Sequence, residues 1–198
     1  FDFDVAILFS DILWHLEGLG LPLTFDPGPK FETHLSEENW KQHTDTDKAM
    51  DHLYFQQSAI SATREMLPNN KSLIGFVGGP WSVLNYALGK NKVSQEFKTM
   101  YLETVIVPLM AKSIRAQKLA GAEVVMIFDS GLSNISKNYY ENTYLPLIAP
   151  LSDIENVGYY TRGLPNNSLS KVKKMNWTGI GIDTTCDLDK TLKTHTNG

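Results

Sequence analysis

Short apolar runs rich in Val, Ile and Phe recur along the chain at residues 5–10, 72–77, 123–128, 156–160 and 178–182. Their hydrophobicity is nearly continuous, as a strand covered on both faces requires. A parallel sheet is therefore predicted over an antiparallel one with a wet face. Helical spacing fills the gaps. Residues 45–66 open on Asp and Thr and carry Met50, Leu53, Tyr54, Ile60 and Met66 before Pro68-Asn69-Asn70 stops them. Residues 93–119 carry Phe97, Tyr101, Val105, Leu109 and Ile114 up to Gly121, and Pro108 is predicted to kink or divide this helix. Shorter helices are predicted at 139–147 and 168–175. Residues 21–35, with Pro22, Pro27, Gly28 and Pro29, read as a long irregular connection, a kind of segment that carries function or is disordered.

Strands alternating with helices leave two architectures, a doubly wound open sheet and a (β/α)8 barrel. No strand is followed by the glycine fingerprint of a dinucleotide-binding turn, which disfavours the first. Nearly every apolar run instead ends in a polar or helix-starting group: Asp11, Gly78-Gly79-Pro80, Asp129-Ser130, Thr161-Arg162 and Asp183. In a barrel these positions converge on the face where active sites are built. A complete barrel takes eight strands and about 250 residues, whereas these 198 residues supply five such runs. The prediction is a single incomplete TIM-barrel domain of five βα units over residues 1–198. The ends fit a piece of a longer protein, since the chain enters a strand just after Phe1 and stops at Gly198 behind a polar stretch.

Composition narrows the chemistry. A hydrophobic content of 42% and a charged content of 20% suit a soluble globular domain. No run approaches the roughly 20 apolar residues that cross a bilayer, and no leader pattern opens the chain. A cytoplasmic location without a membrane partner is expected, and the single Cys186, which allows no internal disulfide, agrees with a reducing compartment. A net charge of -4 with only Arg64, Arg115 and Arg162 as arginines gives no footprint for nucleic acid. The histidines lack paired spacing and Cys186 lacks a partner, so no metal site is expected. Ser130 is no esterase nucleophile, because Phe128 and Leu132 stand where that elbow needs glycine, and Asp129 beside it reads as a turn or packing acid. Asp11 reads either as a rim carboxylate or as the cap of a helix starting at Ile12. The turn Gly78-Gly79-Pro80 opens a helix that could receive an anion or could be only a tight turn. Tyr86, further along that helix, could be core.

The stretches LFSDIL and GLGLPL, then IGFVGGPW with a tyrosine five residues after the tryptophan, then IFDS, together resemble the uroporphyrinogen decarboxylase family. The resemblance implies a (β/α)8 barrel and a homodimer. The implied reaction converts the four acetate side chains of uroporphyrinogen III to methyls, giving coproporphyrinogen III in haem biosynthesis without metal or organic cofactor. By the same resemblance Asp11 is the catalytic carboxylate that gathers the pyrrole N–H groups. Tyr86 and Ser130 bond substrate carboxylates, and Phe76 and Phe128 flank the macrocycle. The family's arginine-bearing segment and its active-site histidine fall outside these residues, so the chain alone is expected neither to bind well nor to turn over. Two alternatives differ in class. One is a non-catalytic relative that binds or scaffolds, with Asp11 only a cap. The other is a corrinoid-linked methyltransferase, whose zinc-binding His-x-Cys would fall around residues 160–162, where Tyr-Thr-Arg stands.

Overall fold

The computed structural model describes residues 3–165, 168–184 and 186. Five strands, β1 (Val5–Ile7), β4 (Ser72–Gly78), β5 (Val124–Asp129), β6 (Val157–Thr161) and β7 (Gly179–Ile182), form one sheet in that order. Every neighbouring pair is parallel. This is the predicted run of βα units, with β1 shorter than the apolar pattern of residues 5–10 suggested. Residues 8–10 leave the ladder after the Leu8 N–H donates to the Ile74 carbonyl at 3.1 Å.

Register divides the strands into two faces. Leu73, Val77, Val125, Ile127, Val157 and Tyr159 are buried toward the helices. On this face Gly75 makes room for Gln117 of α6 (Val107–Leu119), whose Nε2 donates to the Phe76 carbonyl at 3.0 Å. The opposite, concave face carries Val5, Ile7 and Phe9, all exposed, then Phe76, Phe128 and Tyr160. Rings at positions 9, 76, 128 and 160 form a row with successive centroids 5.5, 5.7 and 5.4 Å apart.

The helices depart from the sequence pattern in instructive places. The predicted helix over 45–66 is two, α2 (Thr46–His52) and α3 (Tyr54–Met66), meeting at Leu53. Pro108 does not divide its helix. After α5 (Gln95–Tyr101) the chain widens into a π-helical stretch, Leu102–Ile106, and runs on as α6. A proline at 108 would leave the Thr104 carbonyl without its donor and press its ring on it, and the wider turn relieves both. The same device recurs at Tyr140–Tyr144, ahead of Pro146 in α8 (Leu145–Ser152), with α7 (Lys137–Tyr139) before it. The helix predicted at 139–147 is thus part of a longer one. The helix predicted at 168–175 is only α9 (Leu169–Val172), and the one expected from Ile12 starts later, as α1 (Trp14–Gly18). The connection at 21–35 is not wholly irregular, because β2 (Leu23–Phe25) and β3 (Pro29–Phe31) form an antiparallel hairpin. Proline is tolerated at the first position of such a two-stranded ribbon, so its density hid the pattern.

One buried carboxylate joins these layers. Asp129, fully buried at the end of β5, accepts four hydrogen bonds. The Ser82 N–H and hydroxyl donate to its Oδ1 at 3.0 and 2.7 Å. The Tyr144 hydroxyl donates to Oδ2, and the Tyr159 hydroxyl donates to the same oxygen at 3.0 Å. Burial pushes the Asp129 carboxyl above its usual range, while the donors Tyr144, Ser82 and Tyr159 pull it back. Removing the carboxylate in Asp129→Ala strands several buried donors, so urea unfolding is expected to show a loss of roughly 4 kcal/mol, and Asp129→Asn about half of that. Exposed Ser130→Ala should stay within about 0.5 kcal/mol; equal losses at 129 and 130 would contradict the bonded role of Asp129.

His15 in α1 offers a pH probe. It is buried, and burial lowers its pKa from 6.5 to about 4 against a weaker upward pull from the Ile12 backbone. The folded state holds it neutral while the unfolded chain protonates near its ordinary value. Stability is therefore full above about pH 6.5 and declines as pH falls toward 4, by roughly 2 kcal/mol at pH 5. Chemical denaturation across pH 5–7 should show that slope in the wild type and a flatter one in His15→Leu.

Candidate functional site

The C-terminal ends of β4, β5 and β6 are stitched into one rim by backbone hydrogen bonds. The Gly79 N–H donates to the Phe128 carbonyl at 2.7 Å, the Arg162 N–H to the Asp129 carbonyl at 3.1 Å, and the Leu132 N–H to the Arg162 carbonyl at 3.3 Å. From this rim α4 (Pro80–Leu88) departs, with proline in its first turn. A helix start leaves its first N–H groups unpaired and carries partial positive charge. Proline lacks one such donor, and Gly79 has no side chain with which to cap the rest. The caps come from distant residues: the Trp81 N–H donates to the Tyr144 hydroxyl at 3.0 Å and the Ser82 N–H to Asp129. The anion this helix start receives is the protein's own carboxylate. Gly79 has to be glycine, since a Cβ there would lie 2.3 Å from that of Asp129.

The same cap fixes the turn that follows β5. The Ser82 hydroxyl, while donating to Asp129, accepts the Gly131 N–H at 2.8 Å. Ser130 is thereby held between two anchored neighbours with its own side chain exposed. Its hydroxyl has no hydrogen bond among the described residues.

Asp11 sits four residues beyond β1, partly buried, and its Oδ1 accepts the Leu13 N–H at 2.8 Å. The cap read from the sequence is not what forms: α1 begins at Trp14, two residues later than expected, its N-cap position is Leu13 with no side-chain cap, and Asp11 instead closes a local turn ahead of the helix. The other oxygen has no partner among the described residues. The loop lies against the rim, for a Cβ on Gly78 would meet Ile12 at 3.1 Å. Phe76 and Phe128 stand edge to face in the concave aromatic row.

Tyr86 is not core. Exposed to 45%, it stands one turn beyond Ser82 on α4 and lines a groove of about 520 Å³ with Asn85 and Gly89 of the helix end and Pro29, Lys30, Phe31 and His34 of the hairpin segment. The structure thus brings Phe76 and Phe128 together, seats Asp11 and Ser130 on one rim, and gives Tyr86 a separate wall. Tyr160, Ser82, Lys30 and His34 carry no motif and escape a reading by motif. Tyr160 was reachable through register, since it pairs with Phe128.

Of the arginines, Arg64 is committed to structure: its guanidinium donates to the carbonyls of Leu67, Pro68 and Lys71 and to Glu123. Arg115 and Arg162 are exposed, the latter directly after β6. Among the described residues no group of three or more His, Cys, Asp or Glu could hold a metal ion. No described helix is long and apolar enough to cross a membrane.

Three comparisons bear on what this rim belongs to. A solved structure, a methyltransferase from Methanosarcina mazei, superposes with a TM-score of 0.73 over 89% of this chain and 57% of that one, at 15% identity. That likeness concerns the fold alone. Among curated proteins, uroporphyrinogen decarboxylases are similar: that of Campylobacter hominis is 36% identical over 66% of this chain and 42% of its own length. That of Ovis aries is 29% identical over 83% and 48%, and that of Orientia tsutsugamushi 32% over 100% and 63%. The chain thus spans about half the length of the relatives it matches. The family model described as uroporphyrinogen decarboxylase matches residues 1–197. With a five-stranded parallel sheet of barrel type behind that match, the chain belongs to the uroporphyrinogen decarboxylase family.

Proposed function

We propose that the protein decarboxylates uroporphyrinogen III, taking its four acetate side chains to methyls and releasing carbon dioxide. Breaking the bond to the carboxyl carbon leaves an electron pair on the acetate methylene. Prior protonation of the pyrrole ring turns the ring into a cation that accepts this pair, and a fixed carboxylate stabilises the cation electrostatically. A proton added to the methylene then gives the methyl group, and the ring gives up the proton it first took, which restores the pyrrole with one net proton consumed for each carbon dioxide released. Asp11 takes the role of that carboxylate, and its geometry is the observation that carries the reading. One oxygen is fixed by the Leu13 N–H while the other, beside the rim, has no partner among the described residues. Ser130 and Tyr86 offer hydroxyls to substrate carboxylates, and Phe76 and Phe128 face the macrocycle. No organic cofactor or metal is assigned a step. The active form is a cytoplasmic homodimer, carried over from the family.

Two other readings have less support. A zinc-dependent methyltransferase on this fold needs a His-x-Cys pair that residues 160–162 lack, because Tyr160 and Thr161 belong to β6 and Arg162 follows. A binding or scaffold protein needs Asp11 only as a cap, and a catalytic assay separates it from the enzyme.

The assay follows coproporphyrinogen formation by the full-length protein. Asp11→Ala is expected to keep its fold and lose about 100-fold or more in kcat. Near-normal turnover by the folded variant would sink the assignment. Tyr86→Phe removes one hydroxyl and leaves the ring, so KM should rise by about threefold to tenfold. An unchanged KM would remove Tyr86 from the contact set.

A further inference from the structure

We propose that the groove between the β2–β3 hairpin and the second half of α4 is a carboxylate-binding subsite, with Lys30 supplying charge and His34, Asn85 and Tyr86 supplying hydrogen bonds. The inference rests on the reading of the substrate as a polycarboxylate and extends it to residues outside the motifs. The groove, at about 520 Å³, is large enough for a side chain of such a ligand and part of its ring. Its floor is apolar at Pro29 and Phe31, and its polar groups are uncommitted. Among the described residues neither the Asn85 amide nor the Tyr86 hydroxyl makes a hydrogen bond, and Lys30 has only an exposed ion pair with Asp26 at 3.9 Å. Such a pair at that distance holds the ammonium weakly.

The His34 seat is built into the fold. Its ring lies so close to Gly89 that a Cβ there would fall 2.5 Å from Cε1, and Gly89 has φ of +55°, a conformation that favours glycine for a second reason. Its Nδ1 is buried without a partner among the described residues, which leaves Nε2 as the nitrogen the groove can use. Asn39 bonds the His34 carbonyl at 2.9 Å and so fixes the backbone beneath the ring. The groove also adjoins the rim: a Cβ on Gly131 would lie 3.5 Å from the Asn85 amide nitrogen. A ligand whose ring covers the aromatic row can thus place one carboxylate by Ser130 and another beyond Asn85. In a chain of net charge -4 with Arg64 already committed, a local lysine has disproportionate weight for an anionic ligand.

The test measures equilibrium binding of uroporphyrin I, the stable oxidised octacarboxylate, to the full-length protein by fluorescence, with turnover of uroporphyrinogen read separately. Lys30→Gln is expected to raise Kd about fivefold and the double variant Lys30→Gln/His34→Gln about twentyfold, with smaller ratios at high salt. Asp26→Asn frees the ammonium and should tighten binding by about twofold. If the Lys30–Asp26 pair only braces the hairpin, Asp26→Asn weakens binding as Lys30→Gln does, and that result overturns the subsite. So does an unchanged Kd in the double variant. A wild type that binds with this pattern but does not decarboxylate removes the proposed reaction and leaves the subsite. A wild type that decarboxylates while the variants bind normally does the reverse, and one that binds no uroporphyrin overturns both.

Discussion

The carboxylate of Asp129 caps a helix that begins well before it in sequence, and the layout of the rim depends on that contact. Ser82, the residue it holds, is 47 positions away. One end of the interaction is the last residue of β5 and the other is the first turn of α4. Tyr144 and Tyr159 close it from the helix layer and from β6. A fully buried acid that holds four donors costs much to leave unpaired, so the groups around it are fixed together or not at all. The consequence reaches the surface through Ser82, whose hydroxyl bonds the Gly131 N–H and sets the turn carrying Ser130. Tyr86 is on the same helix and inherits the same registration.

The sheet itself follows from more general causes. Strands covered by helices on one face pack Val, Ile and Leu there, and a parallel order with crossover helices follows. The π-helical stretches before Pro108 and Pro146 let helices continue where a regular α-helix would have broken. The concave face is a different surface. Its aromatic row and the exposed Val5, Ile7 and Phe9 are apolar, and the polar groups of Asp11 and Ser130 stand at its edge.

Much of this was legible in the residues and some could not be. All five strands were read from continuous apolar runs, and their parallel order followed, because apolar residues on both faces, packed against helices on one and lining the concave wall on the other, leave a signature in each strand by itself. Asp11, Ser130 and the Gly78-Gly79-Pro80 turn were found because polar groups at strand ends are conspicuous. The hairpin over Leu23–Phe25 and Pro29–Phe31 was hidden by prolines that usually mean irregular chain. Leu53 gave no sign of ending α2, since it fits the apolar spacing on both sides. The role of Asp129 was half legible. Its position marked it as a packing or turn acid, but no local pattern shows that Ser82, Tyr144 and Tyr159 converge on it.

Amide hydrogen exchange tests the central contact most directly, because the Ser82 and Gly131 N–H groups are its reporters. In the wild type both are expected to exchange only through global unfolding, at the rate of the β5 amides. In Asp129→Asn both should open locally and exchange faster, together, while the β4 and β5 ladders keep their protection relative to each other. Unprotected exchange at Gly131 in the wild type, or loss of protection at only one of the two in the variant, would contradict the view that this carboxylate sets the rim.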